Sequence, residues 1–398
     1  MPATDRPVIS ADDLVGRRDA GILLHPTALS GPRGGDLGAA AYAFVDRIAD
    51  AGQRVWQVLP LGPPGLGDSP YSSPSSFAGN PALISLEHLA ADGLLDDDDL
   101  DADPDTGLRR AHERFRARPP RALARAFERF VDGPERASWL EDWALYAAIK
   151  TARGGTAWTS WPDALRRRTP RALGRARRDH DDGLRFHRFV QFVFDRQWSA
   201  LRRHAADRGV RIVGDLPIFV AHDSADVWAA REWFRLDDRG RPTVVAGCPP
   251  DYFSETGQLW GNPLYRWDAM ADNGYRWWLD RLRRCLELSD VVRIDHFRAL
   301  SAYWEVPADA PDARSGRWAP GPGQHFVDAV RAAFPSMPFV AEDLGTLDDD
   351  VLALRDDNDL PGMRILQFGF DGTPDNPHQP HRFPTSCLAY TGTHDNDT

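Results

Sequence analysis

The segment Asp290–Arg298, DVVRIDHFR, holds charged residues whose types and spacing suit chemistry. Side chains alternate between the faces of a strand, so Arg293 and Asp295 should lie side by side while Val292 and Ile294 face the other way. An adjacent guanidinium stabilises an ionised carboxylate, so we expect Asp295 to stay charged near neutral pH. An ionised carboxylate can act as a nucleophile. Taken alone, the same pattern is also typical of a buried ion pair that only fixes packing.

Three further acids stand where an apolar run breaks into a loop. Asp215 closes RIVGD, Glu342 follows PFVA, and Asp395 follows LAYTGTH. In a β/α barrel, functional side chains from several strand ends meet at one mouth. Crowded like charges raise the pKa of one carboxyl, which supplies a proton donor beside an ionised nucleophile. Such a pair suits retaining cleavage of glycosidic bonds, with the two carboxyls expected about 5 to 5.5 Å apart.

The elements that must position these acids are short apolar strands separated by helical segments. An amphipathic helix is predicted over 39–51, between the first two strands, which favours parallel β/α architecture. We therefore predict an α/β fold, a (β/α)8 TIM-type barrel with helical insertions that is truncated after the seventh strand. The predicted strands are GILL from Gly21, RVWQV from Arg54, RIVGDL from Arg211, DVVRI from Asp290, PFVA from Pro338, MRILQF from Met363 and LAY from Leu388.

The organisation of the chain follows from where this rhythm is interrupted. Residues 1–20 are predicted as an N-terminal leader, and 21–62 with 206–398 as the barrel, incomplete at its C-terminal end. Residues 63–205 are predicted as a mostly helical insertion. Its clearest helix carries an apolar stripe at helical spacing: Phe186, Phe189, Val190, Val193, Phe194, Trp198 and Leu201.

A lid and substrate-binding loop is predicted over 221–268, after the third strand. It mixes flat apolar side chains with fixed hydrogen-bonding groups, a combination that suits a pyranose ring. These residues are Asp251, Tyr252, Phe253, Gln258, Trp260, Asn262, Tyr265 and Trp267.

Composition excludes several classes of function. The net charge of -11 disfavours nucleic acid and anionic membranes as partners. No apolar run approaches the roughly 18 residues of a membrane span, and no signal peptide is indicated. Three well-separated cysteines without a CxxC motif favour a reducing cytoplasm and argue against structural zinc. A calcium-loop-like segment starts at Asp101, but Thr106 and His112 stand where such a loop needs Gly and Glu, so a solvated linker is expected.

The chain resembles the amylomaltases, or 4-α-glucanotransferases, of the α-amylase clan. The resemblance runs from about residue 20 to the last residue. The motifs that carry it are HPTALSGP, WQVLPLGP, GDSPY, FAGNP, DLPIFVAHDSADVW, PPDYFSETGQLWGNPLY, RIDHFR, AEDLG, PGMRILQF and YTGTHDN.

This resemblance implies transfer of 4-α-glucanosyl segments between α-1,4-glucans such as maltooligosaccharides, amylose or glycogen-derived glucans. It implies a retaining double displacement in which Asp295 attacks, Glu342 serves as acid and then base, and Asp395 holds ring hydroxyls. No metal or organic cofactor is expected. The residues expected to bind substrate are Asp215, His222, Asp251, Trp260, Asn262, Arg293, His296 and His394.

Two departures from the family pattern are visible. Leu66 stands where the family often has an aromatic residue, so one stacking contact is expected to be absent. The family also continues beyond a seventh strand, so we expect this sequence to be a fragment that is poorly soluble or weakly active alone. Two rival functions stay open at this point: hydrolysis of α-1,4-glucans with water as acceptor, and glucan binding without turnover. The sequence does not specify the oligomeric state.

Overall fold

A computed structural model describes residues 10–31, 34–251 and 254–394. No helix in these ranges is both long and apolar enough to cross a membrane. The described α-helices are α1 (Ala11–Val15), α2 (Ala39–Asp50), α3 (Leu86–Ala91), α4 (Pro104–Ala117), α5 (Arg121–Val131), α6 (Leu140–Ala152), α7 (Asp163–Arg166), α8 (Pro170–Asp179), α9 (Asp181–Asp207), α10 (Ala225–Ala229), α11 (Trp267–Asp272), α12 (Arg276–Leu288), α13 (Gly323–Ala333) and α14 (Asp349–Asp356). The described strands are β1 (Gly21–Leu23), β2 (Val55–Gln57), β3 (Arg211–Leu216), β4 (Val244–Cys248), β5 (Gln258–Pro263), β6 (Val291–Ile294), β7 (Ala302–Pro307), β8 (Arg317–Pro320), β9 (Phe339–Ala341), β10 (Gly362–Ile365) and β11 (Cys387–Tyr390).

Parallel strands form the frame of the molecule. Five of them pair in the order β1-β2-β3-β6-β9, and β10 pairs with β11, also in parallel. The backbone N–H of Ala341 donates to the carbonyl of Pro361 at 2.9 Å, which joins β9 to the residues that lead into β10. These strands, with helices between them, are those of a (β/α)8-type barrel. Each predicted strand overlaps a described one, although the sixth, predicted to reach Phe368, ends at Ile365, where a 3-10 helix follows over Leu366–Phe370.

Alternation along the strands gives the barrel an apolar floor and a polar mouth. Val213, Val291 and Val340 belong to one buried cluster on the inner face, which α1 also joins through Ala11 and Leu14. Two residues further along each strand, the same face carries polar groups. Those groups are Asp215 on β3, Arg293 on β6 with Asp295 beyond it, and Glu342 after β9.

The helical segment packs on the outer face of the strands. α2 and the apolar stripe of α9 are confirmed, and every residue of that stripe is buried. Residues of α6 and α9 share hydrophobic clusters with residues of β3 and β6 such as Ile212 and Val292. The domain boundaries themselves stay a prediction. The linker expected near Asp101 is short: residues 100–103 form neither helix nor strand, and α4 begins at Pro104, capped by the Asp103 carboxylate, which accepts the Thr106 N–H at 3.1 Å.

A second sheet was not predicted from the sequence. Strands β5, β4, β7 and β8 pair in that order, all antiparallel. The predicted lid, 221–268, contributes only β4 and β5, while their partners come from the segment after β6. The lid is therefore anchored to the barrel by a ladder between β4 and β7, in which Val245 faces Val306.

Candidate active site

The Arg293 guanidinium organises the mouth of the barrel. Its Nη1 donates to Asp215 Oδ1 at 2.7 Å, and its Nη2 lies 2.8 Å from Asp295 Oδ1. Its Nε donates to the thioether sulfur of Met363 at 3.3 Å. The sequence-based expectation that Arg293 and Asp295 lie side by side is confirmed. The fork holds two carboxylates from neighbouring strands in fixed positions, which a planar guanidinium does better than an ammonium group.

Burial opposes the predicted negative charge of Asp295. Burial is the largest influence and raises the pKa of Asp295 to about 8, with Asp215 and Glu342 adding repulsion. Arg293 opposes this shift but does not cancel it, because Asp215 shares the same guanidinium. Burial also raises the pKa of Glu342. The two carboxyls therefore titrate as a coupled pair that retains one proton in a range above the ordinary carboxyl pKa.

Backbone donors fix Glu342. Its Oε2 accepts the N–H of His296 at 2.7 Å, and its Oε1 accepts the N–H of Leu344 at 2.8 Å. His296 directly follows Asp295 and has a left-handed backbone with φ 53° and ψ 47°. Such a conformation is uncommon outside glycine and is typical of constrained functional positions. His296 therefore links the Glu342 carboxyl, at the end of β9, to the residue that follows Asp295 at the end of β6.

Tyr71 is a site residue that sequence reasoning did not select. Its hydroxyl donates to Asp215 Oδ2 at 2.6 Å and lies 2.9 Å from His394 Nε2. The rings of Tyr71 and His394 stack with centroids 5.6 Å apart and planes 6° apart. The available signal was the GDSPY motif, where Ser69 accepts the backbone N–H of Tyr71 at 3.3 Å and begins a short turn.

His394, the last described residue, also lies at the mouth of the barrel. His394 contacts Tyr71, and the strand before it is tied to the opposite wall, since the Tyr390 hydroxyl donates to Gln57 Oε1 at 2.6 Å. Asp395, the third predicted catalytic acid, lies outside the described residues. Its role stays a prediction.

Trp260 on β5 packs against His296, the residue that follows Asp295. Its ring meets the His296 ring edge to face at 4.8 Å, and its Nε1 donates to Gln258 Oε1 at 3.0 Å. The side chain is 37% exposed, so one part of the indole is open to a ligand. The Asn262 amide donates to the carbonyl of Val220 at 2.9 Å and ties β5 to the loop after β3.

Two predicted binding residues make structural contacts. His222 Nε2 lies 2.7 Å from the carbonyl of Gly240, and its ring packs edge-on against Trp158. Asp251 Oδ1 accepts the N–H of Ser254 at 2.8 Å, within the turn between β4 and β5. Substrate binding by His222 and Asp251 stays a prediction. Tyr252 and Phe253 lie outside the described residues.

The arrangement can perform one kind of chemistry readily. Two carboxyls at neighbouring strand ends, one of them protonated, offer a nucleophile and a proton donor within one site. The Trp260 indole adds a flat apolar surface beside them. Over the ranges that the structure covers, no group of three or more His, Cys, Asp or Glu side chains is arranged to hold a metal ion.

Comparison with known proteins gives this chemistry a family. A family profile described as 4-alpha-glucanotransferase matches residues 24–398. The chain is 51% identical over 394 residues to the 4-alpha-glucanotransferase of Thermus thermophilus, an alignment that covers 96% of this chain and 79% of that protein. It is 45% identical over 409 residues to a 4-alpha-glucanotransferase of Synechocystis, covering 97% of this chain and 80% of the relative.

Solved structures agree with these sequence relatives. The amylomaltase from Streptococcus agalactiae, solved in complex with acarbose, superposes with a TM-score of 0.91 at 36% identity, covering 95% of this chain and 80% of that chain. An amylomaltase from Corynebacterium glutamicum, at 21% identity and a TM-score of 0.74, shares the fold over 98% of this chain and 57% of its own. The carboxyl pair, the barrel around it and the length of the sequence match have one common explanation. The chain belongs to the 4-alpha-glucanotransferase family.

Proposed function

We propose that this chain transfers 4-α-glucanosyl segments between α-1,4-glucans by a retaining double displacement. The observation that carries the proposal is the pair of carboxyls at adjacent strand ends, Asp295 on the Arg293 fork and Glu342 on two backbone N–H groups. The names of the relatives support the same reaction class. Maltooligosaccharides, amylose and glycogen-derived glucans are the proposed substrates.

In the first half of the reaction, Asp295 attacks the anomeric carbon of the donor. The bond between that carbon and the leaving oxygen breaks, and Glu342 gives its proton to the leaving oxygen. We place the single negative charge of the pair on Asp295, because a guanidinium hydrogen bond is stronger than one from a neutral N–H group. Among the described residues, the hydrogen bonds to Glu342 come from neutral backbone N–H groups, and the neighbouring Asp343 charge raises its pKa further.

In the second half, Glu342 acts as a base. It takes the proton of an incoming 4-hydroxyl, whose oxygen displaces Asp295 from the sugar and restores the original anomeric configuration. Tyr71 and Arg293 hold Asp215 in place throughout, so Asp215 can bind a ring hydroxyl without moving. Asp395 is proposed to grip ring hydroxyls by likeness to the family.

The lid is proposed to favour a sugar acceptor over water. Trp260 lies next to His296 and therefore close to the carboxyl pair, where its exposed part can stack on a sugar ring. A stacked sugar displaces water from the acceptor side. Hydrolysis stays the alternative, as does binding without turnover.

The proposal is tested with maltotriose alone. Transfer converts two maltotriose molecules into glucose and maltopentaose, then into a longer ladder, while the concentration of reducing ends stays constant. Hydrolysis raises that concentration and yields only glucose and maltose. An unchanged substrate, together with saturable maltoheptaose binding, would show a binding protein and would refute the transferase.

The pH dependence follows from the raised pKa values. Below the lower pKa of the pair both carboxyls are protonated and the nucleophile is neutral; above the upper one both are ionised and no proton donor is left. We expect a bell-shaped profile of kcat/KM with both limbs above the ordinary carboxyl range, because burial raises the pKa of Asp295 and of Glu342. Burial lowers the pKa of His296 to about 3, so that ring stays neutral across the profile.

Initial rates of glucose release from maltotriose at subsaturating concentration measure this profile. The acid limb should lie above the ordinary carboxyl value of about 4, because both shifts are upward. An acid limb at about pH 4, or constant activity up to about pH 10, would contradict the coupled pair.

A cytoplasmic location is part of the proposal. Cys248, Cys285 and Cys387 are all free of disulfide bonds, which suits a reducing compartment. Nucleic acid and membranes are not proposed as partners, in line with the charge of -11.

A further inference from the structure

Asp343 directly follows Glu342 and is buried, with only 2% of its surface exposed. Its carboxylate contacts β10 and α14. Oδ1 accepts the backbone N–H of Met363 at 2.5 Å, and Oδ2 accepts from Arg364 Nη1 at 3.0 Å and pairs with Arg355. The chemistry proposed above uses none of these contacts, although the residue adjoins the proton donor.

The carboxylate lies at a seam between two strands. The five-stranded sheet ends at β9, and β10 pairs with β11. One backbone bond, from the N–H of Ala341 to the carbonyl of Pro361 at 2.9 Å, crosses from β9 to the start of β10. At the next position the Asp343 side chain accepts the Met363 N–H that a neighbouring strand would otherwise accept. The Asp343 side chain therefore supplies one of the hydrogen bonds that join the end of β9 to β10.

The same seam borders the turn that orients Glu342. Glu342 Oε1 accepts the N–H of Leu344, two residues further on, so Asp343 lies at the centre of that turn. We propose that Asp343 is a positioning residue, which fixes the 342–344 turn against β10 and so sets the direction in which Glu342 presents its proton. This inference rests on the proposed function, because it assigns Asp343 to the proton-transfer part of that reaction.

Close packing leaves the Asp343 carboxylate little room to move. A Cβ added at Gly362 would lie 2.5 Å from Asp343 Oδ2, so only glycine lets the strand approach the carboxylate this closely. Met363 extends the link, since its sulfur accepts from Arg293 Nε. Arg293, however, also has Asp215 and Asp295 as partners, so the nucleophile side is held independently of Asp343.

The test compares two donors that differ in their need for an acid. Maltotriose needs a proton on its leaving oxygen, whereas α-maltosyl fluoride releases fluoride with little acid assistance. We expect D343N to lose about 100-fold of its kcat/KM on maltotriose, since both correct geometry and a placed acid are worth factors of this size. The first-turnover release of fluoride should change by less than about threefold.

A second variant and a matched control accompany D343N. R355Q removes one anchor and keeps the carboxylate, and it should show the same donor preference with a smaller loss, about fivefold on maltotriose. D356N is the control, because exposed Asp356 pairs with the same Arg355 at 2.7 Å but lies away from the seam. It should be unchanged on both donors. If D343N fails to fold, R355Q carries the comparison.

Equal losses on both donors in a folded D343N or R355Q would overturn the inference, because they would show general structural support. Unchanged rates on both donors would overturn it as well. Failure of the proposed function is distinguishable, since it would appear in the unmodified chain as inactivity on maltotriose.

Discussion

Replacing Asp295 with asparagine is expected to lower maltotriose disproportionation by roughly 10⁴-fold or more, because removing a nucleophile that acts together with its neighbours costs up to about 10⁶-fold. The amide keeps the size of the side chain and can still accept from Arg293, whose pairing with Asp215 at 2.7 Å remains. The fold and glucan binding should therefore survive. Glucose release from maltotriose measures the loss, and maltoheptaose titration measures binding.

Rescue chemistry makes this prediction specific to a nucleophile. In D295A, azide should enter the space of the carboxylate and attack α-maltosyl fluoride once, with fluoride leaving, to give β-maltosyl azide. Asp290→Asn is the matched control, since Asp290 precedes the same strand and pairs with Arg202 at 2.7 Å at the opposite end of the barrel. That variant should retain activity. An active D295N, or an α-azide product from D295A, would remove Asp295 from the nucleophile role.

The parts of the site that lie on one strand could be predicted from the sequence. Alternation alone places Arg293 beside Asp295, and the breaks in the apolar runs place Asp215 and Glu342 at strand ends. Convergence of those ends at one mouth then follows from the barrel. What alternation does not reveal is how deeply a strand end is buried. For that reason the rise in the pKa of Asp295 was not predicted: burial outweighs the adjacent guanidinium.

The parts that depend on long-range contacts could not be predicted. Tyr71 lies in a loop rich in Gly, Pro and Ser, where no periodicity indicates which side chain turns inward. In the sequence, Asp343 is simply the residue after Glu342. Its contacts with Met363 and Arg355, which lie on later elements, could not be predicted. The second sheet was not predicted for the same reason, since β4 pairs with β7, which follows β6 in the chain.

Replacing Glu342 with glutamine is expected to separate the two donors far more strongly than D343N does. Disproportionation of maltotriose should fall by about 10²- to 10⁴-fold, the usual contribution of a general acid. Fluoride release from α-maltosyl fluoride in the first turnover should persist, because Asp295 remains on the Arg293 fork at 2.8 Å. The maltosyl-enzyme should then accumulate, since no base activates the incoming hydroxyl. Mass spectrometry of the intact protein measures that adduct.

Azide distinguishes this role from that of Asp295 by stereochemistry. In E342A, azide should attack the maltosyl-enzyme formed from α-maltosyl fluoride without needing a base and give α-maltosyl azide, the anomer opposite to the one expected from D295A. The first-turnover rate of E342Q on the fluoride should show no alkaline limb, because this donor needs little acid assistance and the group that loses its proton there is gone. Inverted product from E342A, or an E342Q enzyme slowed equally on both donors, would contradict the acid and base role. A carboxyl that only supported the His296 bend would impair attack on either donor, so the ratio of the two rates decides between support and proton transfer.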